Sequence, residues 1–219
     1  MSNPYQLVVF DWEGTVSDTL GLILHTVASE ANMLGYGSID PYQARKYVEL
    51  GLVQALKKLF PDLTHTQHER LLEAVQHAMI TRPAEVCLIP GAREFILQLT
   101  DAGIDIAIAT NKGHQSLVRA LQATGLDELF KVTRSAGQVP PKPSPDMLTE
   151  IMEEFGQTSA STLMIGDSPT DMEMARKINV AAIGVDFYHQ HEAALKTAGA
   201  TAVFDDYKLL ADYLKLPNA

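Results

Sequence analysis

The stretch Leu7-Val8-Val9-Phe10-Asp11-Trp12-Glu13-Gly14-Thr15-Val16-Ser17-Asp18 decides how the rest of the chain is read. Four consecutive apolar residues describe a short buried strand. The acidic residue that follows, and then Gly-Thr, put a carboxylate at the carboxyl end of that strand. Open α/β sheets place their chemistry there. An aspartate in such a position can act as a nucleophile, forming a covalent intermediate that is then hydrolysed.

Working outward, three later segments repeat the order of apolar strand, polar turn and helix. Ile104–Ala109 ends at Thr110-Asn111, Thr162–Ile165 at Gly166-Asp167, and Val180–Ile183 at Gly184-Val185-Asp186. Helical spacing of apolar residues is expected near 92–102, 114–124, 144–155 and 170–178. A last strand, Ala202-Val203-Phe204, precedes a closing helix near 206–214. Strands alternating with helices predict a parallel sheet covered on both faces.

Residues 18–82 break this alternation. Leu20, Ile23, Leu24, Val27 and Ala31 mark one helix, and Leu52, Leu56 and Leu59 a second. Leu71, Leu72, Val75 and Met79 mark a third, at spacings of three and four. The expected architecture is therefore an α/β, Rossmann-like parallel-sheet core formed by residues 1–17 and 83–219. An all-helical cap of residues 18–82 is inserted after the first strand, and the chain returns to the core near Arg82-Pro83.

The bulk numbers exclude several function classes. The 219 residues are 46% hydrophobic and 20% charged, an ordinary globular mixture. The net charge of −10, with no basic run, argues against nucleic acid or an anionic membrane as partner. A small anionic substrate would need a local positive site. No apolar run approaches the ~20 residues of a bilayer span, and Met-Ser-Asn-Pro-Tyr-Gln shows no leader pattern. The single cysteine, Cys87, cannot form an internal disulfide and is expected to be a small buried residue. The expectation is a cytoplasmic protein; the oligomeric state is not legible.

Four places gather chemistry-bearing residues at element ends: Asp11; Thr110-Asn111; Lys142 in Pro140-Pro141-Lys142-Pro143; and Asp167 with Asp171 in Gly166-Asp167-Ser168-Pro169-Thr170-Asp171. Their order along the chain resembles that of the haloacid dehalogenase superfamily, whose first motif usually reads Asp-x-Asp-Gly-Thr. The chain is most similar to its phosphoglycolate phosphatase-like group with a helical cap. One departure stands out: the second acid is Glu13 rather than Asp.

The resemblance implies a phosphatase acting on a small phosphorylated metabolite with Mg²⁺. Asp11 is the implied nucleophile and Glu13 the general acid and base, while Lys142 and Thr110 complete the catalytic set. Gly14, Thr110, Asn111, Lys142 and Arg45 are the implied substrate contacts. The implied metal ligands are Asp11, the backbone carbonyl of Glu13, and Asp167. Asp171 would orient Lys142 or a metal-bound water, and Ser168 would touch such a water or cap the helix before Pro169. The longer Glu13 predicts slow turnover, since a ~1 Å displacement can cost on the order of 10²-fold, unless the loop shifts to accommodate it.

Arg45-Lys46-Tyr47-Val48-Glu49-Leu50-Gly51-Leu52 resembles the cap segment of the same group, with Glu49 where a glycine is usual. Either Glu49 faces the leaving group or it is a solvated helical residue. Arg45 is likewise a substrate contact or a surface charge. Trp12 is expected to pack beside the cap entrance, and His65, His68 and His77 to lie on solvated faces. A dehalogenase and a phosphonate hydrolase fit less well, the first because of Glu13, Asp167 and Asp171, the second for want of a cap lysine after Gly51. A sugar-phosphate mutase and a weakly catalytic phosphometabolite-binding protein stay open as alternatives.

Overall fold

The computed structural model describes residues 4–40, 44, 47, 51–81 and 86–217. Its centre is a six-stranded, all-parallel sheet in the order β3-β2-β1-β4-β5-β6. The strands are β1 (Leu7–Phe10), β2 (Asp105–Gly113), β3 (Val132–Ala136), β4 (Thr162–Gly166), β5 (Ala181–Val185) and β6 (Ala202–Phe204). Among the described residues nine α-helices accompany them: α1 (Thr19–Met33), α2 (Leu52–Leu59), α3 (His65–Thr81), α4 (Ala92–Asp101) and α5 (His114–Thr124), then α6 (Asp146–Phe155), α7 (Pro169–Lys177), α8 (Glu192–Ala198) and α9 (Tyr207–Leu214).

All four residues of β1 are fully buried because the strand lies between β2 and β4 with both faces covered. Alternate side chains serve the two faces. Leu7 and Val9 join Met147, Leu148 and Ile151 of α6 and Met172 and Ala175 of α7 in one core. On the other side Phe10 meets Phe95 and Phe130 edge-on, with ring centroids 6.0 and 5.9 Å apart, and Phe95 stacks on Tyr207 of α9 at 4.9 Å. The strand order reverses at β1 and β4, whose carboxyl ends are in register, Phe10 beside Ile165. That switch point is where such sheets leave a crevice.

β3 is absent from the sequence-based expectation. Its sequence, Val-Thr-Arg-Ser-Ala, carries one buried apolar side chain at an edge, so no apolar run announces it. β2 also runs past the expected Thr110, to Gly113, but its register with β3 shifts between those two residues. Such an irregularity re-aims the side chains within it. Trp12 is fully buried, which leaves it no face for stacking on a ligand.

The chain divides into two compact units, Met1–Ser17 with Leu88–Ala219, and Asp18–Cys87. The expected return point at Arg82-Pro83 lies outside the described residues. In the helical unit Asp18 caps α1 by accepting the Gly21 N–H at 2.8 Å. Val27, Ala31, Leu56, Phe60, Leu71 and Val75 form its core. Met79 does not belong to that face, as the periodicity suggested. It is 46% exposed, and Ala78 is the buried residue of that turn. Cys87 is half-buried rather than enclosed, and so is His68, whereas His65 and His77 are exposed.

In the core unit, buried Asp186 closes β5. Its carboxylate accepts the N–H groups of Gln190 at 2.9 Å, His191 at 2.8 Å and Glu192 at 2.9 Å, which fixes the turn into α8. Asp186→Ala strips these orphan donors of their acceptor and is expected to cost about 2 kcal/mol. Asp186→Asn should recover part of the loss. Urea unfolding midpoints of the three proteins check this.

Candidate active site

The site grows from the carboxyl ends of β1, β2 and β4. Asp11 follows β1, and its N–H donates to the Ile165 carbonyl of β4 at 2.9 Å. This fixes its backbone beside the start of the Gly166-Asp167 turn. The Lys142 ammonium donates to Asp11 Oδ1 at 2.6 Å and to Asp171 Oδ1 at 2.6 Å. All three residues are buried. Asn111 holds the lysine in place from the end of β2. Its Oδ1 accepts the Lys142 N–H at 2.9 Å, and its Nδ2 donates to the Lys142 carbonyl at 3.4 Å.

Asp171, in the first turn of α7, is held from its other side. Its Oδ2 accepts the Ser168 N–H at 3.1 Å and the Ser168 hydroxyl at 2.8 Å. Ser168 thus serves the helix start, and its hydroxyl also meets that of Thr170 at 2.8 Å. Two glycines permit this closeness. A Cβ on Gly14, whose φ is +74°, would overlap the Asp167 carboxylate, and one on Gly166 would overlap that of Asp171.

The carboxylate oxygens of Asp11, Asp167 and Asp171 lie within 4.8 Å of one another. Burial pushes the Asp11 carboxyl up to about 6 against the opposing pull of Lys142, with Asp171 adding repulsion. Asp167 is pushed up to about 8, by burial first and then by the charges of Asp11 and Asp171. Lys142 is the weakest influence on it. Burial acts to lower the Lys142 pKa, but Asp11 and Asp171 outweigh it and hold the ammonium above its ordinary value.

Asp11, Glu13, Thr110, Lys112, Lys142 and Ser168 are among the residues lining a cavity of about 300 Å³. The Glu13 carboxylate stands apart from the aspartate cluster and pairs with the Lys112 ammonium. Buried Thr110 accepts the Lys112 N–H at 3.2 Å, which leaves its hydroxyl proton to donate. Tyr207, 192 residues away in sequence, donates its hydroxyl to the Thr15 carbonyl at 2.8 Å. Its phenol is held well above the ordinary range by burial and by the charges of Asp167 and Asp11.

The structure thus brings Asp11, Glu13, Thr110, Asn111, Lys142, Asp167, Ser168 and Asp171 to one end of the sheet. The Gly14 N–H donates to the Ser17 carbonyl at 2.9 Å, and its lack of a side chain leaves room for Asp167. The Asn111 side chain is likewise turned to the Lys142 backbone. Arg45 and Glu49 lie outside the described residues. Lys112 and Tyr207 went unread in the sequence. Lys112 directly follows Thr110-Asn111, a signal that could have been taken, whereas nothing local points to Tyr207.

Residues 8–185 match the model of the haloacid dehalogenase-like hydrolases. The chain is 30% identical over 206 residues to the probable phosphatase IndB of Dickeya dadantii, covering 92% of this chain and 90% of that one. It is 30% identical over 226 residues to phosphoglycolate phosphatase of Rhodospirillum rubrum, covering 96% and 91%. In fold it is similar to a HAD family hydrolase from Deinococcus radiodurans, with a TM-score of 0.67, 23% identity and full coverage of both chains. With the parallel sheet and the residues at its switch point, these matches show that the chain belongs to the haloacid dehalogenase-like hydrolase family, as an enzyme of its phosphatase type.

Proposed function

We propose that this enzyme is a Mg²⁺-dependent phosphatase that hydrolyses a small phosphomonoester through an aspartyl-phosphate on Asp11. The observation that carries the reading is the Asp11 carboxylate, held against the buried Lys142 ammonium where both line the cavity at the end of the central strand. Relatives named phosphoglycolate phosphatase support a small phosphorylated metabolite as substrate. The acidic net charge fits neither nucleic acid nor an anionic surface as partner. Among the described residues no helix is long and apolar enough to cross a membrane. We place the enzyme in the cytoplasm and assign the helical insert after Asp11 the role of cap.

The residues present fit a hard divalent cation. The cluster offers only carboxylate oxygens, the ligand set that suits Mg²⁺. Its members raise one another's proton affinity, which a cation would relieve. Asp11, the Glu13 carbonyl and Asp167 would hold the ion. Bound there, it supplies positive charge against the negative charge of the phosphoryl group.

Asp11 attacks phosphorus, forming the Asp11–phosphorus bond as the bond to the leaving oxygen breaks. Glu13, as its acid, gives that oxygen a proton. Glu13, now a carboxylate, then takes a proton from the water that attacks the aspartyl-phosphate. This releases phosphate and restores the Asp11 carboxylate. Lys142 stays charged throughout and, with the Thr110 hydroxyl, steadies the phosphoryl oxygens. Asp171 keeps the Lys142 ammonium at that position.

Phosphate release from p-nitrophenyl phosphate tests the reading. Release should need Mg²⁺, stop with EDTA and fall by at least about 10³-fold in Asp11→Asn. Glu13→Asp should speed turnover, by up to about 10²-fold, if the extra methylene displaces the acid. An Asp variant no faster than wild type removes the idea that Glu13 limits the rate. Release that persists undiminished in Asp11→Asn removes the proposed nucleophile.

Asp167 also predicts a pH dependence of stability. Its folded pKa of about 8 exceeds the ordinary 3.8, so the folded state binds the extra proton between those values. Stability of the metal-free protein therefore falls as pH rises through this window, and Asp11, at about 6, adds to the fall. Melting temperatures in EDTA should decline from about pH 5 to about pH 8. Saturating Mg²⁺ should flatten the decline, because cation binding favours the ionised carboxylates. A metal-free protein whose melting temperature rises over that range contradicts the raised pKa values.

A further inference from the structure

The loop that follows the nucleophile is a tight turn. The Trp12 carbonyl accepts the N–H groups of Val16 at 3.0 Å and Ser17 at 2.8 Å, and the Gly14 N–H reaches the Ser17 carbonyl at 2.9 Å. These bonds shape the turn from within. Bonds to the rest of the core reach its two ends, from the Asp11 N–H to the Ile165 carbonyl and from the Ile89 N–H to the Val16 carbonyl. Between those ends lies Thr15, which is fully buried. Among the described residues its hydroxyl has no hydrogen-bond partner, and its carbonyl is met by the Tyr207 phenol at 2.8 Å.

The phenol is tightly seated. Tyr207 is the first residue of α9, and the Asp206 carboxylate fixes that helix start by accepting the N–H groups of Lys208 at 2.7 Å and Leu209 at 3.1 Å. Its ring stacks on Phe95, with centroids 4.9 Å apart, and lies 5.1 Å from that of Phe187. Gly91 closes the seat from the start of α4, where a Cβ would come within 3.3 Å of the Tyr207 Cβ. Burial and the charges of Asp167 and Asp11 hold the phenol protonated, so it stays a donor at neutral pH.

Thr15 adjoins Gly14, the backbone against which Asp167 rests, since a Cβ on Gly14 would overlap the Asp167 carboxylate. The Glu13 carbonyl belongs to the peptide that enters Gly14. Two of the groups assigned above to the cation therefore meet across one stretch of backbone, and the tether nearest its middle is the Tyr207 hydroxyl. We propose that Tyr207 is a positioning residue for the cation: through the Thr15 carbonyl it holds the Glu13–Gly14 backbone against Asp167. This inference rests on the metal-dependent reading above and deepens it. Mg²⁺ demands near-octahedral geometry, so a small shift of this backbone weakens its binding. Groups that orient ligands from behind are typically worth about 10–100-fold in affinity.

The test measures Mg²⁺ binding by calorimetry on the full chain, for wild type, Tyr207→Phe and Leu214→Ala, each below its melting temperature. Tyr207→Phe keeps the ring on Phe95 and Phe187 and removes only the hydroxyl. Its Kd for Mg²⁺ should rise by about tenfold. The Mg²⁺ concentration giving half-maximal phosphate release should rise by the same factor, with kcat at saturating Mg²⁺ held within about threefold of wild type. Leu214 is buried in the last turn of the same helix. Its truncation should lower the melting temperature and leave the Kd unchanged.

A wild-type Kd in Tyr207→Phe would overturn the inference, whatever the melting temperature of that variant and however well the enzyme turns over. Equal weakening in Leu214→Ala would also overturn it, because loosened packing of α9 would then suffice. A wild type that binds no Mg²⁺ would defeat both the inference and the metal-dependent reading. A wild type that binds Mg²⁺, loses about tenfold in affinity with the Tyr207 hydroxyl alone and hydrolyses no phosphomonoester would uphold Tyr207 and defeat the phosphatase reading.

Discussion

The Lys142 ammonium, shared between Asp11 and Asp171 inside the protein, is the interaction on which the rest of the site depends. Three carboxylates come together at the switch point of the sheet with one buried ammonium among them. Taking such groups out of water is costly, and one cation cannot offset three anions. Asp11 and Asp171 hold the lysine by direct bonds, and Asp167 receives the weakest share of its charge. The imbalance leaves the site with more negative than positive charge, a balance that an added cation would offset. A lysine free to leave its partners would enlarge the imbalance. The Asn111 side chain, gripping the Lys142 backbone at both its N–H and its carbonyl, keeps it there.

Much of this was legible in the sequence because a buried parallel sheet leaves a strong pattern. β1, β2, β4 and β5 each appear as short apolar runs ending in Asp, Thr or Gly, and the site residues sit at those ends. β3 was not legible, because an edge strand with a half-buried Thr-Arg pair has no apolar run to show. Met79 misled for a related reason. Its spacing fits the buried face of α3, but Ala78 fills that place, and spacing alone does not resolve neighbouring positions around a helix. Gly14 was expected among the substrate contacts, with backbone N–H groups near it holding the phosphoryl oxygens. Its N–H is committed to Ser17, a bond that only the folded loop displays.

Tyr207 shows what no local pattern can give. Its hydroxyl closes on the Thr15 carbonyl, and its ring stacks on Phe95, so the last helix pins the loop that follows the nucleophile. The partners are far apart in sequence, and Tyr207 belongs to no motif. Gly14 and Gly166 act in the opposite sense, by what they lack. Each leaves room for a carboxylate of the cluster to approach the backbone. Precision at Asp167 and Asp171 is therefore set by absent side chains, a constraint felt in three dimensions and written in sequence only as two common residues.

The depth of each charge explains why one part of the site is fixed and another exchangeable. Asp11, Lys142 and Asp171 are buried, and displacing any of them leaves a charge without a partner. Glu13 and Lys112 are partly solvated, so water softens the loss of either partner. Glutamate at position 13 fits this division. Its carboxylate stands outside the aspartate cluster and pairs with Lys112 on the partly solvated side of the cavity, so the second acid of the motif lies where water can soften a change of partner.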